Sequence, residues 1–368
     1  MNVLWFTWKD ARHPWAGGAE VVGTELRQRL VADGHAVRVL TSAVAGAPER
    51  EVINGVEIIR RGGQFSVYWH AFRYYRRQLI GWADVVIDEV NTLPFFCRFF
   101  VREPNLLLVH QLCREIWFYQ MSWPLKYFGF VLEPVYLWLL RRSRSVVVSE
   151  STSLDLQRCG FSADRISVIS EGIRLEPLAD LSQAEKSAPP ILLSFGSVRP
   201  MKRTAQIVRA FELARQKIPT LRLVVAGDIS GGYGAYVMRL IDKSPHRTAI
   251  TCYGQVSEEQ KIQLLRQAHL LAVTSVKEGW CLVVTEANSQ GTPAVVYDVD
   301  GLRDSVWHDE TGLVAKRNTP AELAQAIVDL LSNHDHYDRL RQAAYKWSQE
   351  INFDRSYQDL IAAIKHVR

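Results

Sequence analysis

Apolar residues recur along this chain in short runs, separated by stretches with helical spacing, and the alternation continues almost from end to end. Val3 to Thr7 reads as a buried strand, Trp8 to Gly17 as a Pro- and Gly-containing loop, and Gly18 to Asp33 as a helix. Ala36 to Thr41 follows the turn at Gly34-His35 as a second strand. That order predicts a β-α-β unit, the opening of a doubly wound α/β domain. Further strands are expected at Val56 to Ile59, Val85 to Ile87, Leu106 to Val109 and Ser145 to Val148.

The polar stretch Ala179 to Pro190, with Ser182 to Ser187 and Pro189-Pro190, reads as a linker. Beyond it the grammar restarts: strand Ile191 to Phe195, helix Thr204 to Ile218, strand Leu221 to Ala226, helix Gly234 to Ile241, strand Ile250 to Tyr253 and helix Glu258 to Gln267. The chain is therefore expected to hold one domain over 1–178, a linker over 179–190, a second domain over 191–346 and a final helical segment over 347–368. A length of 368 residues exceeds what one core usually supports, which also favours two domains.

The most distinctive stretch lies near the end of the second series. The apolar run His269 to Thr274 predicts a strand, Lys277 to Trp280 its exit loop, and Cys281 to Gln290 a helix stopped by Gly291-Thr-Pro293. Glu278 then sits in the loop and Glu286 about two turns into the helix, facing one crevice. The start of such a helix offers unpaired backbone N–H groups and the positive end of a dipole, which suits a diphosphate. Carboxylates can accept sugar or ribose hydroxyls. A bare pair of glutamates at this spacing is usually a solvated helix face, so the surroundings carry the weight.

With the Gly-Thr-Pro exit and the following Asp298-Val-Asp-Gly301-Leu-Arg-Asp304, this stretch resembles the family 4 glycosyltransferases. These are retaining, nucleotide-sugar-dependent enzymes of the GT-B fold, an α/β architecture of two Rossmann-like doubly wound domains facing a central crevice. The resemblance implies that Glu278 anchors the donor sugar and Glu286 the ribose, with Gly279, Trp280, Cys281 and Leu282 beside the diphosphate. It also implies a position for Thr285 near the ribose and for Gly254 near the base. Cys281 stands where the family often has glycine. In Ser194-Phe-Gly196-Ser-Val-Arg199-Pro-Met-Lys202-Arg203 the family usually shows Gly-Arg, then Lys-Gly. Here Ser197 takes the arginine's place, Arg199 follows two residues later, and Arg203 replaces the glycine. Lys202 transfers cleanly, and with Arg199 it is expected to neutralise the leaving diphosphate.

In the first domain, His13-Pro-Trp-Ala-Gly17-Gly18-Ala-Glu20 resembles the family's N-terminal loop, which places Gly17 and Gly18 against the donor. His110 follows an apolar strand and matches a position where histidine contacts the transferred sugar. Its neighbours Gln111, Arg114 and Glu115 are candidates to meet the acceptor. The spacing Gly17-Gly18-x4-Gly23 fails the Gly-x-Gly-x-x-Gly rule, and no acidic residue ends the second strand, so dinucleotide binding is disfavoured. The resemblance implies no metal and no cofactor, and Asp298-Val-Asp300 is read as a loop rather than a metal site. It also implies that the final helix, within 347–368, crosses back to pack on the first domain; a helix that merely ends the second domain is the alternative.

Composition adds little to this: 48% hydrophobic and 23% charged residues are ordinary for a globular protein. The formal charge of +5 is concentrated among arginines of the first half, which favours an anionic partner. Nothing resembles a nucleic-acid module. Five scattered cysteines without a Cys-x-x-Cys pair, and a start without a signal-like leader, suggest a cytoplasmic protein with reduced thiols. The expected function is retaining transfer from a UDP- or GDP-linked sugar in envelope polysaccharide or glycolipid synthesis. The alternatives are a GT-B sugar-nucleotide epimerase, a phosphorylase, or a non-catalytic nucleotide-sugar-binding protein. The aromatic run Trp117 to Leu140 reads either as core or as a membrane-facing surface. With Tyr68 to Trp82 and Arg73, Arg76 and Arg77, it makes an anionic membrane on the inner face a candidate partner and a lipid-linked saccharide a candidate acceptor.

Overall fold

In the computed structural model, which describes residues 1–367, the chain divides into two compact units. The first comprises Met1–Arg114, Phe128–Gly172 and the chain from Asn352 on; the second comprises Glu115–Tyr127 and Ile173–Ile351. Both are built on parallel sheets.

The first unit holds β1 (Asn2–Phe6), β2 (Ala36–Thr41), β3 (Arg50–Ile53), β4 (Val56–Arg60), β5 (Val85–Val90), β6 (Asn105–Val109), β7 (Arg144–Val147) and β8 (Ile166–Val168). Their order in the sheet is β3-β4-β2-β1-β5-β6-β7-β8. The chain starts in the middle, winds outward on one side through β2 and β4, then returns to lay β5 on the other side of β1. Only β3 runs antiparallel. It is an edge strand joined to β4 by Asn54-Gly55, both at positive φ (49° and 78°), as a tight hairpin of the Asn-Gly kind requires. The sequence expectation missed β3, a four-residue strand of two charged residues followed by two apolar ones, none of them buried.

The second unit holds β9 (Ile191–Phe195), β10 (Arg222–Ala226), β11 (Ile250–Gly254), β12 (Leu270–Val273), β13 (Ala294–Val296) and β14 (Gly312–Val314), in the order β11-β10-β9-β12-β13-β14. Alternate residues of the inner strands β10, β9, β12 and β13 enter separate cores. Leu270 and Ala272 join the layer under the helices Thr204–Arg215 and Pro320–Ser332, whereas Leu271 and Val273 join the layer under Glu258–Gln267 and Leu282–Ser289. Burial on both faces explains why these strands read as continuous apolar runs.

The helical segment expected over 347–368 is divided. Trp347 lies in the last turn of the helix His334–Ser348, and a new helix, Phe353–Lys365, begins after the Asn352 cap and belongs to the first unit. Its buried stripe Phe353, Tyr357, Leu360 and Ile364 follows helical spacing. The Tyr357 hydroxyl donates to Asp33 at 2.6 Å, and Arg29 pairs with Asp354 at 2.9 Å. Gly172 is packed so tightly on Phe353 that a Cβ there would lie 2.5 Å from the ring.

Candidate active site

In the second unit the sheet changes direction between β9 and β12. Ligands of open α/β sheets bind at such switch points, outside the carboxyl ends of the strands. Residues 196–203 leave β9 there and residues 274–281 leave β12. The two loops are tied together: Val276 N–H donates to the Met201 carbonyl at 2.8 Å, and the buried Thr274 hydroxyl lies 3.0 and 3.1 Å from the carbonyls of Lys202 and Arg203. Behind them, Gly196, Gly227 and Gly254 close β9, β10 and β11 with positive φ. A Cβ on Gly227 would sit 2.2 Å from the Gly196 carbonyl oxygen, so only glycine permits this approach. Gly254, expected near the base, is thus a partly exposed residue at the carboxyl end of β11.

Glu278 is 9% exposed, and its Oε1 accepts from Lys202 Nζ at 2.5 Å and from the Ser275 hydroxyl. Burial alone would lower the Lys202 pKa, but the adjacent Glu278 carboxylate outweighs it and holds the ammonium above its ordinary value. Lys202 therefore keeps its charge at neutral pH. Glu286, on the helix Leu282–Ser289, accepts from Lys261 Nζ at 2.6 Å. Lys261 lies on the preceding helix and was missed in the sequence, where a lysine on an amphipathic helix carries no signal. Each of the two glutamates expected to meet the donor is thus matched by a lysine from a separate element.

The helix beginning at Leu282 has N–H groups in its first turn without intrahelical acceptors. Its N-cap, Cys281, is 8% exposed and left-handed, with φ 84°; burial pushes its thiol pKa well up. Arg203 has φ 51°, and its buried Nε has no hydrogen-bond partner. These are the two positions where the resembled family has glycine, and the backbone still adopts the conformation glycine favours. Gly279, Trp280 and Leu282 are partly exposed, and Arg199 is exposed. Thr285, expected near the ribose, is fully buried, and its hydroxyl accepts the Trp280 indole N–H at 3.0 Å. It orients the indole. Asp298 and Asp300 both pair with Arg303, and Asp300 also pairs with Lys277. Among the described residues no cluster of three or more His, Cys, Asp or Glu is arranged to hold a metal ion.

In the first unit the loop after β1 is anchored by a buried ion pair between Asp10 and Arg60, with 2.6 Å from Arg60 Nε to the carboxylate. Gly17 and Gly18 are exposed at the start of the helix Gly18–Ala32, and the Glu20 carboxylate reaches back to the Gly17 N–H at 2.6 Å. Lys9, at 3.2 Å, and Asn91, at 2.5 Å, hold the other Glu20 oxygen.

His110 leaves the end of β6 and is 5% exposed. Its Nε2 lies 2.8 Å from Glu89 Oε1 on the neighbouring β5; Glu89 also receives the Trp5 indole N–H at 2.5 Å and Arg27 at 3.4 Å. Burial would raise the Glu89 carboxylate, but His110, Arg27 and Trp5 together hold it below its ordinary range. For His110 burial works downward and is overcome by the bond to Glu89, so its pKa is raised. Glu171 is a further acidic group acting on His110, 3% exposed and with Oε2 unpartnered. Nothing in its sequence surroundings distinguished it. Gln111 is half-buried with an unpartnered Oε1, whereas Arg114 is engaged, donating to the Phe130 carbonyl at 3.3 Å and lying over the Phe130 ring. Glu115 is exposed.

Comparison with known proteins meets this geometry. Among curated proteins, a D-inositol 3-phosphate glycosyltransferase from Nocardia farcinica is 28% identical over 207 residues, 51% of this chain and 46% of that protein. A glycogen synthase from Mycobacterium tuberculosis is 26% identical over 235 residues, 62% of this chain and 55% of its own. The chain spans about half the length of the curated relatives it matches. Among solved structures, sucrose-phosphate synthase from Thermosynechococcus elongatus superposes with a TM-score of 0.79 at 20% identity, covering 99% of this chain and 98% of that one. HepE from Anabaena, in complex with UDP and glucose, gives 0.74 at 17% identity over 100% of both chains. These neighbours share the GT-B fold. The profile described as Glycosyltransferase Family 4 matches residues 16–177, and that described as Glycosyl transferases group 1 matches residues 180–347. With both Rossmann-like units matched in turn, the chain belongs to the group 1 glycosyltransferases of family 4.

Proposed function

We propose that the protein transfers a sugar from a UDP- or GDP-linked donor to an acceptor hydroxyl with retention of anomeric configuration. The observation that carries this reading is the pair of lysine-matched carboxylates, Glu278 with Lys202 and Glu286 with Lys261, flanking the helix start at Leu282. A bound diphosphate would draw the Lys202 ammonium and the first-turn N–H groups, with Arg199 at its exposed side. Glu278, relieved of part of its lysine contact, would accept donor sugar hydroxyls, and Glu286 the ribose hydroxyls. Gly17, Gly18 and His110 are assigned to the donor and the transferred sugar, and Gln111 and Arg114 to the acceptor. That HepE, of the same fold, is complexed with UDP and glucose supports a UDP-linked donor first.

In the reaction the bond from the anomeric carbon to the acceptor oxygen forms on the face from which the phosphate departs. The acceptor proton passes to a leaving phosphate oxygen. Lys202 stabilises the charge that develops on the diphosphate. Asp298 and Asp300, already paired with Arg303 and Lys277, support a site that neutralises the diphosphate with protein cations and N–H groups. The arginine-rich first half favours a lipid-linked acceptor at an anionic membrane, and a peripheral place on its cytoplasmic face.

Thermal stabilisation by a panel of UDP- and GDP-sugars tests the donor site; a ligand at about 100 times its dissociation constant adds roughly 2.7 kcal/mol. Glu286→Gln is expected to keep the fold and weaken donor binding by about ten- to a hundredfold, the worth of a hydrogen bond to a charged group. Unchanged affinity in the folded variant would remove Glu286 from the site.

A further inference from the structure

The helix Leu125–Leu140 carries two apolar faces, and the first unit uses only one of them. Tyr136, Leu137 and Leu140 pack against the sheet with Leu107 and Val109. The buried Glu133 carboxylate fastens the same face, accepting the N–H groups of Cys113 and Arg114 at 2.6 Å each. The opposite face presents Phe128, Val131, Leu132, Val135, Trp138 and Leu139, each 41 to 65% exposed, at spacings that form a continuous stripe over three turns. No charged side chain interrupts the stripe. Soluble surfaces rarely leave such a contiguous apolar patch without a use.

The stripe ends in cations. Arg141 lies over the Trp138 ring at 3.7 Å, followed by exposed Arg142 and Arg144. Arg165, exposed, donates to the Arg142 carbonyl at 2.9 Å. Ring contacts carry the surface further. Tyr136 meets Phe96 at 6.2 Å, and Phe96 meets the exposed Phe99 at 6.4 Å, between the exposed Arg98 and Arg102. Phe100 meets Phe72 at 5.1 Å, and Phe72 stacks with the exposed Trp69, over which Arg73 lies.

From this geometry we infer that the outer face of residues 128–139 is a membrane-docking surface: its apolar stripe enters the interface of an anionic bilayer, and Arg141, Arg142 and Arg144 engage lipid phosphates. The aromatic rings suit the interfacial layer, and the arginines suit its headgroups. Among the described residues no helix is long and apolar enough to cross a membrane, so the element lies on the bilayer. Self-association through the same face would bring two copies of the arginine rim together, whereas anionic headgroups neutralise it. The inference rests on the proposed function only for the lipid-linked acceptor, since docking needs no turnover.

The test is co-sedimentation of the full chain with phosphatidylcholine vesicles, with and without phosphatidylglycerol, alongside light scattering without lipid. Wild type is expected to bind the anionic vesicles, and binding should fall with salt. Val131→Ser, Val135→Ser and Trp138→Ser together should reduce binding by roughly tenfold or more, because the inserted apolar area is lost. Arg141→Glu with Arg142→Glu should abolish the preference for anionic lipid. All these positions are on the surface, and thermal shift with the donor panel reports separately whether each variant folds and binds nucleotide. A wild type that stays in the supernatant with anionic vesicles at low salt overturns the inference and leaves the donor reading standing. So does a dimer that the serine variant dissolves while lipid binding is unaffected.

Discussion

A carboxylate oxygen buried without a hydrogen-bond partner is costly, and Glu171 Oε2 is in that position, with burial pushing the Glu171 pKa from 4.5 to about 7. The field of His110 offsets only part of the effect. Because the folded value lies above the unfolded one, the native state binds the proton more tightly. Stability is then fully present below about pH 4.5 and is lost as pH rises through about 7. Glu171→Gln should flatten that fall and stabilise the protein above pH 7 by something on the order of 3 kcal/mol. Urea unfolding from pH 5 to 8 measures it, and a slope left undiminished by the substitution would show that Glu171 is satisfied by another group. His110 works in the same direction, since Glu89 raises its pKa, and accounts for the slope remaining in the variant. At this scale the sequence named His110, Glu278 and Glu286 but neither Glu89, Lys261 nor Glu171. Motif spacing records residues near in the chain, while these partners arrive from other strands and helices.

Elements carry a second kind of information. The helix Leu282–Ser289 starts from a non-glycine residue held at φ 84°, a conformation that costs an L-residue on the order of 1 kcal/mol and a β-branched one more. Replacing Cys281 by valine is therefore expected to lower the melting temperature further than replacing it by glycine, and to weaken donor binding by displacing the first-turn N–H groups. The reverse order in differential scanning calorimetry would mean that lost burial of the Cys281 side chain outweighs backbone strain. Strands buried on both faces such as Leu270–Val273 and Ala294–Val296 were plain in the sequence because every residue in them is apolar. The helix Leu125–Leu140 was ambiguous for the same reason: its residues are apolar on two faces, and periodicity cannot say which face the protein covers. Neither the core nor the membrane-facing reading describes it whole, because Tyr136, Leu137 and Leu140 are core while Phe128, Val131 and Trp138 face solvent.

The proposed reaction makes claims about the whole molecule that no single residue carries. With an α-linked donor, NMR of the product should show an α-linkage, and a β-linkage would sink the same-face mechanism. Turnover should persist in excess chelator; loss of activity restored by Mg²⁺ or Mn²⁺ would return Asp298 and Asp300 to consideration as metal ligands. Both measurements use intact protein with donor and acceptor together.

The sequence by itself determined the α/β class, the doubled β-α series and the family resemblance, because buried parallel strands, helix stops such as Gly291-Thr-Pro293 and the Glu278 to Glu286 spacing are local in the chain. Only the tertiary structure decided that Lys202 meets Glu278, that Lys261 meets Glu286, that Thr285 serves Trp280 rather than open space, and that the helix from Phe353 joins the first unit. The physical reason is range. Strand and helix preferences are settled by neighbours a few residues away, whereas charge pairing and burial depend on which elements the sheet order brings side by side.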